Sequence, residues 1–360
     1  MAGVTGRLIQ AAYARATTWG TPTSVTRQVL LNTTAGLTPR ATIVDDETFN
    51  QTFLKRGDVG EFAAVTTDVE LQLRYEDVDS WIAGAMGSAS APLVVSSQAA
   101  NSLVAYGHGL SLASELWPIW TLAINMVTFV LEVPSFKIKG FSVRTGDGGR
   151  MVGSFPIVGQ RSRIDSTTNT SATIANARAA AEGLRVMRRQ GVLRMNPTSA
   201  GSLTASDEIT IAREIAFNAT RAFAEDDYVL NSLGIIEPDE NAYPEFSFEI
   251  TYARMNTVSA NSVVSALLSG DTFKASLEFT GPNVNSTTAR LLRFEFPALQ
   301  CYEARIEATG PDQVRPVGMF RAKAVNTAPT GMGANSFHAS GLTAPFRVTL
   351  INANSQNLLA

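Results

Sequence analysis

Hydrophobic and polar residues alternate through two stretches that lie far apart in the chain. Val69, Leu71, Leu73 and Tyr75 alternate with Glu70, Gln72 and Arg74, and Phe246, Phe248, Ile250 and Tyr252 alternate with Ser247, Glu249 and Thr251. A period of two turns one set toward a core and the other toward water, so each stretch predicts a half-buried strand. After each, the spacing becomes helical. Val78, Ile82 and Met86 predict a short helix with Asp77 as N-cap and Gly87 as its left-handed stop. Val263, Val264, Leu267 and Leu268 predict a second helix with one apolar stripe, stopped by Gly270. Strand patterns return at Trp120–Ile124 and Phe273–Phe279.

These matching orders belong to a longer echo. Val133-Pro134-Ser135-Phe136, Thr145-Gly146-Asp147 and Val152-Gly153-Ser154-Phe155 recur as Phe296-Pro297-Ala298-Leu299, Thr309-Gly310-Pro311 and Val317-Gly318-Met319-Phe320. Glu132 and Glu295 each stand two residues before the shared proline. A weaker echo aligns Leu31-Asn32-Thr33-Thr34 with Phe217-Asn218-Ala219-Thr220, and Cys301 with Ile138. The expectation is a mainly β chain built as two tandem domains, 1–162 and 184–325. A linker at 163–183 joins them, and a polar C-terminal arm, 326–360, follows. With 360 residues, each domain has enough chain for its own core. Segments Ser88–Glu115 and Gly281–Ala289 differ in length between the halves, as surface loops tolerate. The strand-like run Phe346–Ile351 in the arm needs a pairing partner, with a neighbouring subunit one candidate.

Composition removes several function classes. A net charge of −3 argues against a basic nucleic-acid grip. Cys301 is the single cysteine, so no internal disulfide or cysteine zinc site is expected. His108 and His338 lack a second ligand at metal spacing. Gly107-His108-Gly109 and Gly146-Asp147-Gly148-Gly149 lack the strand and helix context of phosphate loops, and both are expected to be turns. The carboxylates of Asp45-Asp46-Glu47, Asp77/Asp79, Glu225-Asp226-Asp227 and Asp239-Glu240 offer no basis for choosing an acid–base pair, so solvated loops are expected. Arg185, Arg188, Arg189 and Arg194 lack the interleaved aromatics of a nucleic-acid patch. Met1–Arg7 has no signal-peptide pattern, and uncharged Leu116–Leu131 is too short and too polar to span a membrane. Expected, then, is a non-enzyme with no catalytic, cofactor-binding or metal site, and no membrane insertion.

The early run Tyr13–Pro22, with its Trp19-Gly20-Thr21-Pro22 turn, resembles the opening of the two-domain tail tube (major tail) proteins of long-tailed, siphovirus-like bacteriophages. Gly57-Asp58-Val59, the strand at Val69–Tyr75 and the helix ending Ala85-Met86-Gly87 are similar to that family too. The resemblance covers most of residues 10–325. It implies tandem β-sandwich or barrel domains, each with a short flanking α-helix, lending strands to a shared inner β-barrel. It also implies homotrimeric, pseudo-sixfold rings stacked into a tube, with a homohexamer as the runner-up. Partners would be the tape-measure protein during assembly, then tail terminator and distal tail proteins. Double-stranded DNA would pass without sequence-specific contact along a mildly acidic wall. Localisation would be the virion tail after assembly in the host cytoplasm. Pro39–Asp58, Ser88–Glu115 and Asn326–Ala360 are the candidate stacking segments. Another virion protein of similar fold (tail terminator, baseplate hub or head decoration) is the alternative. A carbohydrate-active β-protein and an outer-membrane barrel fit less well, the latter lacking repeated strands of about ten residues.

Overall fold

The computed structural model describes residues 8–45, 57–98, 103–113, 117–164, 166–180, 184–230, 232, 234–256, 260–306 and 314–359. Asp46-Glu47, the Thr309-Gly310-Pro311 motif, Met1–Arg7 and parts of the three candidate stacking segments lie outside them. Strands β1 (Gln10–Ala16) and β2 (Arg27–Val29) come first, followed by a separate ribbon of β3 (Ala41–Asp45) and β4 (Gly57–Phe62). Next are β5 (Val65–Gln72), helix α1 (Asp79–Met86), β6 (Gly87–Ala89), β7 (Leu93–Gln98) and β8 (Leu103–Leu112). The first half closes with β9 (Ile119–Asn125), β10 (Val130–Ile138), β11 (Gly140–Thr145) and β12 (Met151–Gly159). Helix α2 (Ser171–Asn176) leads to β13 (Gly191–Pro197), β14 (Ala212–Thr220) and β15 (Glu245–Tyr252). A π-helical turn (Ala260–Ser265) runs into α3 (Ala266–Ser269), then β16 (Thr272–Asn283), β17 (Ala289–Arg305), β18 (Val317–Lys323) and β19 (Arg347–Asn352). The chain is mainly β, with antiparallel pairing throughout these ladders.

The ladders of the two halves run in matching register. Phe155 faces Val69, and Phe320 faces Phe248. Ile138 faces Ile157, and Leu299 faces Ala322, so Leu299 and not Cys301 is the counterpart of Ile138. Leu31 bridges Leu71 as Ile215 faces Ile250. The sequence echo at Leu31 is therefore misplaced by two residues, because short polar runs carry too little pattern to fix a register.

Helix α1 is buried on every side, which is why its apolar spacing is less regular than a one-faced helix would show. Gly87 does take the left-handed conformation at its end (φ 80°), but the helix starts at Asp79, not beside Asp77. Asp79 is used in the tertiary structure instead: it is 2 % exposed and accepts hydrogen bonds from the side chains of Asn352 (3.1 Å) and Asn354 (2.8 Å). In α3, Gly270 supplies the expected stop (φ 70°), yet Leu268 is 81 % exposed and leaves the predicted stripe. Gly146–Gly149 forms the expected turn between β11 and β12, but Gly107 and Gly109 lie inside β8. They are glycine because the Phe337 residue packs there: a Cβ would come within 2.1 Å of its ring at Gly107 and 2.0 Å of its carbonyl oxygen at Gly109.

One aromatic core runs through both halves instead of stopping between them. Trp81 meets Phe155 (5.6 Å), Phe155 stacks with Phe141 (6.2 Å), Phe141 meets Phe217 (5.6 Å) and Phe217 meets Phe346 (4.9 Å). Strand β19, within the expected arm, pairs with β17 on one side and with β8 of the first half on the other. The Trp19-Gly20-Thr21-Pro22 turn is pinned across the same junction, since Trp19 Nε1 donates to Ile235 O at 3.1 Å. Removing the central ring by Phe217→Ala is expected to cost about 3–5 kcal/mol. Because the core is shared, urea unfolding followed by fluorescence and circular dichroism should remain one coincident transition. Two separated transitions would show that the halves are energetically independent.

Candidate functional site

Seven strands lie side by side in one sheet, in the order β5, β12, β11, β14, β15, β18 and the C-terminal part of β17. Cross-strand neighbours define its faces. Leu71, Gly153, Val143, Phe217, Phe248, Phe320 and Cys301 form one row across all seven strands, and every one is buried. The adjacent row is Glu70, Ser154, Ser142, Asn218, Ser247, Arg321 and Gln300, none of them buried. Strand pleating makes this separation automatic once the register is set. Cys301 thus fills the place of a small hydrophobe, and burial pushes its thiol pKa up, away from nucleophilic use.

The solvent-facing side carries Asp68, Glu70, Glu214, Glu245, Glu249 and Glu303 against Arg144, Arg305, Arg321 and Lys323, set among serine, threonine and asparagine. Several charges are already neutralised in place. Arg144 Nη2 lies 3.0 Å from Glu70 Oε2, Arg213 Nε 3.2 Å from Glu214, and Arg305 Nε 2.5 Å from Glu303. The surface is polar and slightly acidic, and among the described residues its side chains do not converge on one point. Among the described residues no group of three or more His, Cys, Asp or Glu side chains is placed to hold a metal ion.

Among the described residues no named strand lies beyond either end of the sheet. At one end Leu31 bridges Leu71 and Asn32 N–H donates to Glu70 O at 3.2 Å. At the other, Cys301–Arg305 bonds to β18, and among the described residues no strand lies along its second side. The junction inside the chain shows what such ends can do. There β11 and β14 pair from Gly140 opposite Thr220 to Arg144 opposite Ala216, joining the sheets of the two halves.

Behind the sheet, two straps hold the halves through buried ion pairs. Glu132, 0 % exposed, accepts from Arg163 Nε (2.8 Å), Ser166 Oγ (2.6 Å) and Asn169 Nδ2 (2.6 Å). Glu295 accepts from Arg347 Nε (2.8 Å) and Nη2 (3.2 Å). The echoed glutamates were visible in the sequence; their arginines were not, because they come from segments of low pattern. The expected linker is thus a packed strap, with α2 capped by the Thr170 side chain. The other sequence candidates also hold structure together. Glu225 pairs with Lys139, and Glu240 pairs with Arg221 at 3.2 Å, whose guanidinium lies 3.6 Å over the Trp117 ring. Arg188 donates to Arg213 O at 3.2 Å. His108 is buried in β8 with Nε2 2.9 Å from Asn354 O, and burial lowers its pKa.

The chain matches a family of phage tail tube proteins over residues 6–341. No curated protein matches. Among solved structures, one described as the crystal structure of Hcp protein is 11 % identical, covering 36 % of this chain and 86 % of that chain, with a TM-score of 0.23.

Two outcomes follow from the straps. Glu132→Ala leaves the Arg163 charge without its partner, and a loss of about 3–5 kcal/mol is expected, against about 0–1 kcal/mol for Glu70→Ala on the open face; chemical denaturation compares them. His338, whose Nε2 lies 3.0 Å from Thr349 Oγ1, has its pKa pushed down to about 4 by burial and by the Arg347 charge, with Glu295 opposing. The unfolded chain then binds the extra proton first. Stability is expected to fall as pH drops from about 6.5 to about 4, by up to roughly 3 kcal/mol, and His338→Gln should remove that part of the slope in urea titrations. A family match over nearly the whole length, on a mainly antiparallel β chain with this continuous sheet, decides the classification: the chain belongs to the phage tail tube protein family.

Proposed function

We propose that the chain is the ring-forming subunit of a siphovirus-like tail tube, and that the exposed face of its seven-stranded sheet lines the channel. One observation carries this reading: the sheet is already continuous through β11 and β14 within a single chain, and among the described residues no named strand lies beyond either of its ends. The matched registers support a diverged internal duplication, with one tail-tube unit in 1–162 and another in 184–325. On that basis, three chains supply six equivalent units, and head-to-tail stacking of rings propagates as a heterologous contact. With the Leu31–Thr34 segment counted, each chain brings eight strands. Twenty-four strands at about 4.8 Å spacing make a circumference of roughly 115 Å and a backbone diameter of roughly 37 Å. That bore is wider than a DNA duplex.

The electrostatics suit passage. A duplex is held when lysines and arginines displace its counterions, and released when the wall offers little net positive charge. Here the acids outnumber the bases, and Arg144 and Arg305 are paired with carboxylates. During assembly the channel would enclose the tape-measure protein, and tail terminator and distal tail proteins would bound the tube. Assembly would take place in the host cytoplasm and the product would reside in the virion tail. No catalytic role is assigned.

The purified chain should polymerise into hollow filaments of uniform bore in negative stain, and native mass spectrometry should find a smallest ring of three chains. A six-chain ring would remove the duplication argument, and an inert monomer would end the proposal. Replacing Glu245 and Glu249 by lysine should leave rings intact and slow genome ejection from reconstituted particles; unchanged ejection would refute the charge part of the account.

A further inference from the structure

The junction within the chain has a space that can be compared with one at its open edge. At the junction, β13 and the segment leading into β14 form a cleft lined by Gly191, Leu193, Ala212, Arg213 and Ile215, and Thr145 and Met151 of the first half close it to about 100 Å³. In the first half, the equivalent positions by strand register are Ile9, Ala11, Gln28, Val29 and Leu31. They line a groove of about 510 Å³ that extends along Leu30–Thr34. The groove is therefore the same cleft without the side chains that fill it at the junction. By the same registers, Arg144 corresponds to Arg305, so the residue matching Thr145 is Ile306. Ile306 is 37 % exposed, Tyr302 beside it on the open edge is 51 % exposed, and Leu30 on the groove is 37 % exposed. Apolar surface thus waits on both sides of the missing contact.

We infer that the occupant of this groove is the Cys301–Ile306 edge of a second copy of the chain, docked antiparallel along Leu31–Thr34. This rests on the tube reading and specifies its contact. Transferring the junction register puts Arg305 opposite Asn32, Ala304 opposite Thr33 and Glu303 opposite Thr34, as Arg144, Val143 and Ser142 stand opposite Ala216, Phe217 and Asn218. Ile306 then enters the groove against Leu31, as Thr145 lies against Ile215, whose N–H is 3.4 Å from the Thr145 hydroxyl. Main-chain pairing supplies the affinity and the Ile306 knob sets the register. The two patches are different surfaces of one chain, so the contact is heterologous and closes only by going round a ring.

The experiment is disulfide trapping in assembled tubes. In a Cys301→Ser background, the pair Thr34→Cys and Glu303→Cys should link neighbouring chains under mild oxidation, while the pair Asn32→Cys and Glu303→Cys, two residues out of register, should link at least tenfold less. Tubes that link through the second pair overturn the register. Tubes that link through neither overturn the docking while leaving the tube reading intact. A parent variant that folds but forms no ring overturns both. A second test leaves Cys301 in place: Ile306→Asp, on an exposed position, should keep the monomer's circular dichroism and raise the critical concentration for ring formation at least tenfold. An unchanged critical concentration overturns the role of the groove.

Discussion

The pairing of Gly140–Arg144 with Ala216–Thr220 is the constraint on which the rest of the structure depends. Strand pairing fixes register, and register fixes which face each side chain meets. Once β11 and β14 are joined, the buried row from Leu71 to Cys301 and the polar row from Glu70 to Gln300 are settled together. A slip of one residue at this junction would turn Phe217 and Phe248 to water and bring Asn218 and Ser247 into the core. The aromatic contacts of Phe141 with Phe217, Phe294 and Phe346 hold the junction against such a slip, because those rings pack only when the register is right.

Burial of charge behind the sheet serves the same end. A buried carboxylate is costly unless its partners are in place, and Glu132 and Glu295 find theirs on segments that follow the last strand of each half. The arginines are thereby obliged to return to one spot. Arg163 draws the strap holding α2 across the first half, and Arg347 starts the strand that sits between β17 and β8. Asp79, Asn352 and Asn354 then complete the polar contacts at the end of that strand. The result is a chain whose halves are clasped twice, by the seven-stranded sheet and by β19.

An open strand edge is a hazard in a protein that stays alone, and folded proteins blunt such edges with charge, proline or covering loops. Here the edge at Cys301–Arg305 keeps Tyr302 and Ile306 exposed, and the opposite end keeps a groove beside Leu31. Exposed apolar surface at matched ends suits a subunit that is completed by copies of itself. The polar face between the ends suits a wall: it presents many small hydrogen-bonding groups, and its acids outnumber its bases.

Much of the scaffold was legible in the chain. The period-two runs at Val69–Tyr75 and Phe246–Tyr252 named two strands of the seven-stranded sheet, since alternation is a local property, although the first strand ends at Gln72 and Arg74, read as solvent-facing, is buried. Gly87 and Gly270 marked helix ends because only a residue free to take positive φ ends a helix that way. The echoed glutamates and prolines marked equivalent positions in the two halves. What the chain could not show was everything set by distant contacts. Gly107 and Gly109 looked like a turn but serve Phe337; Asp79 looked like loop charge but ties down Asn352 and Asn354; Leu268 fitted a stripe but faces water. Register at Leu31, the joining of β11 to β14 and the return of Arg347 to Glu295 were decided by tertiary structure alone. Each depends on packing between residues far apart in sequence, for which local pattern carries no signal.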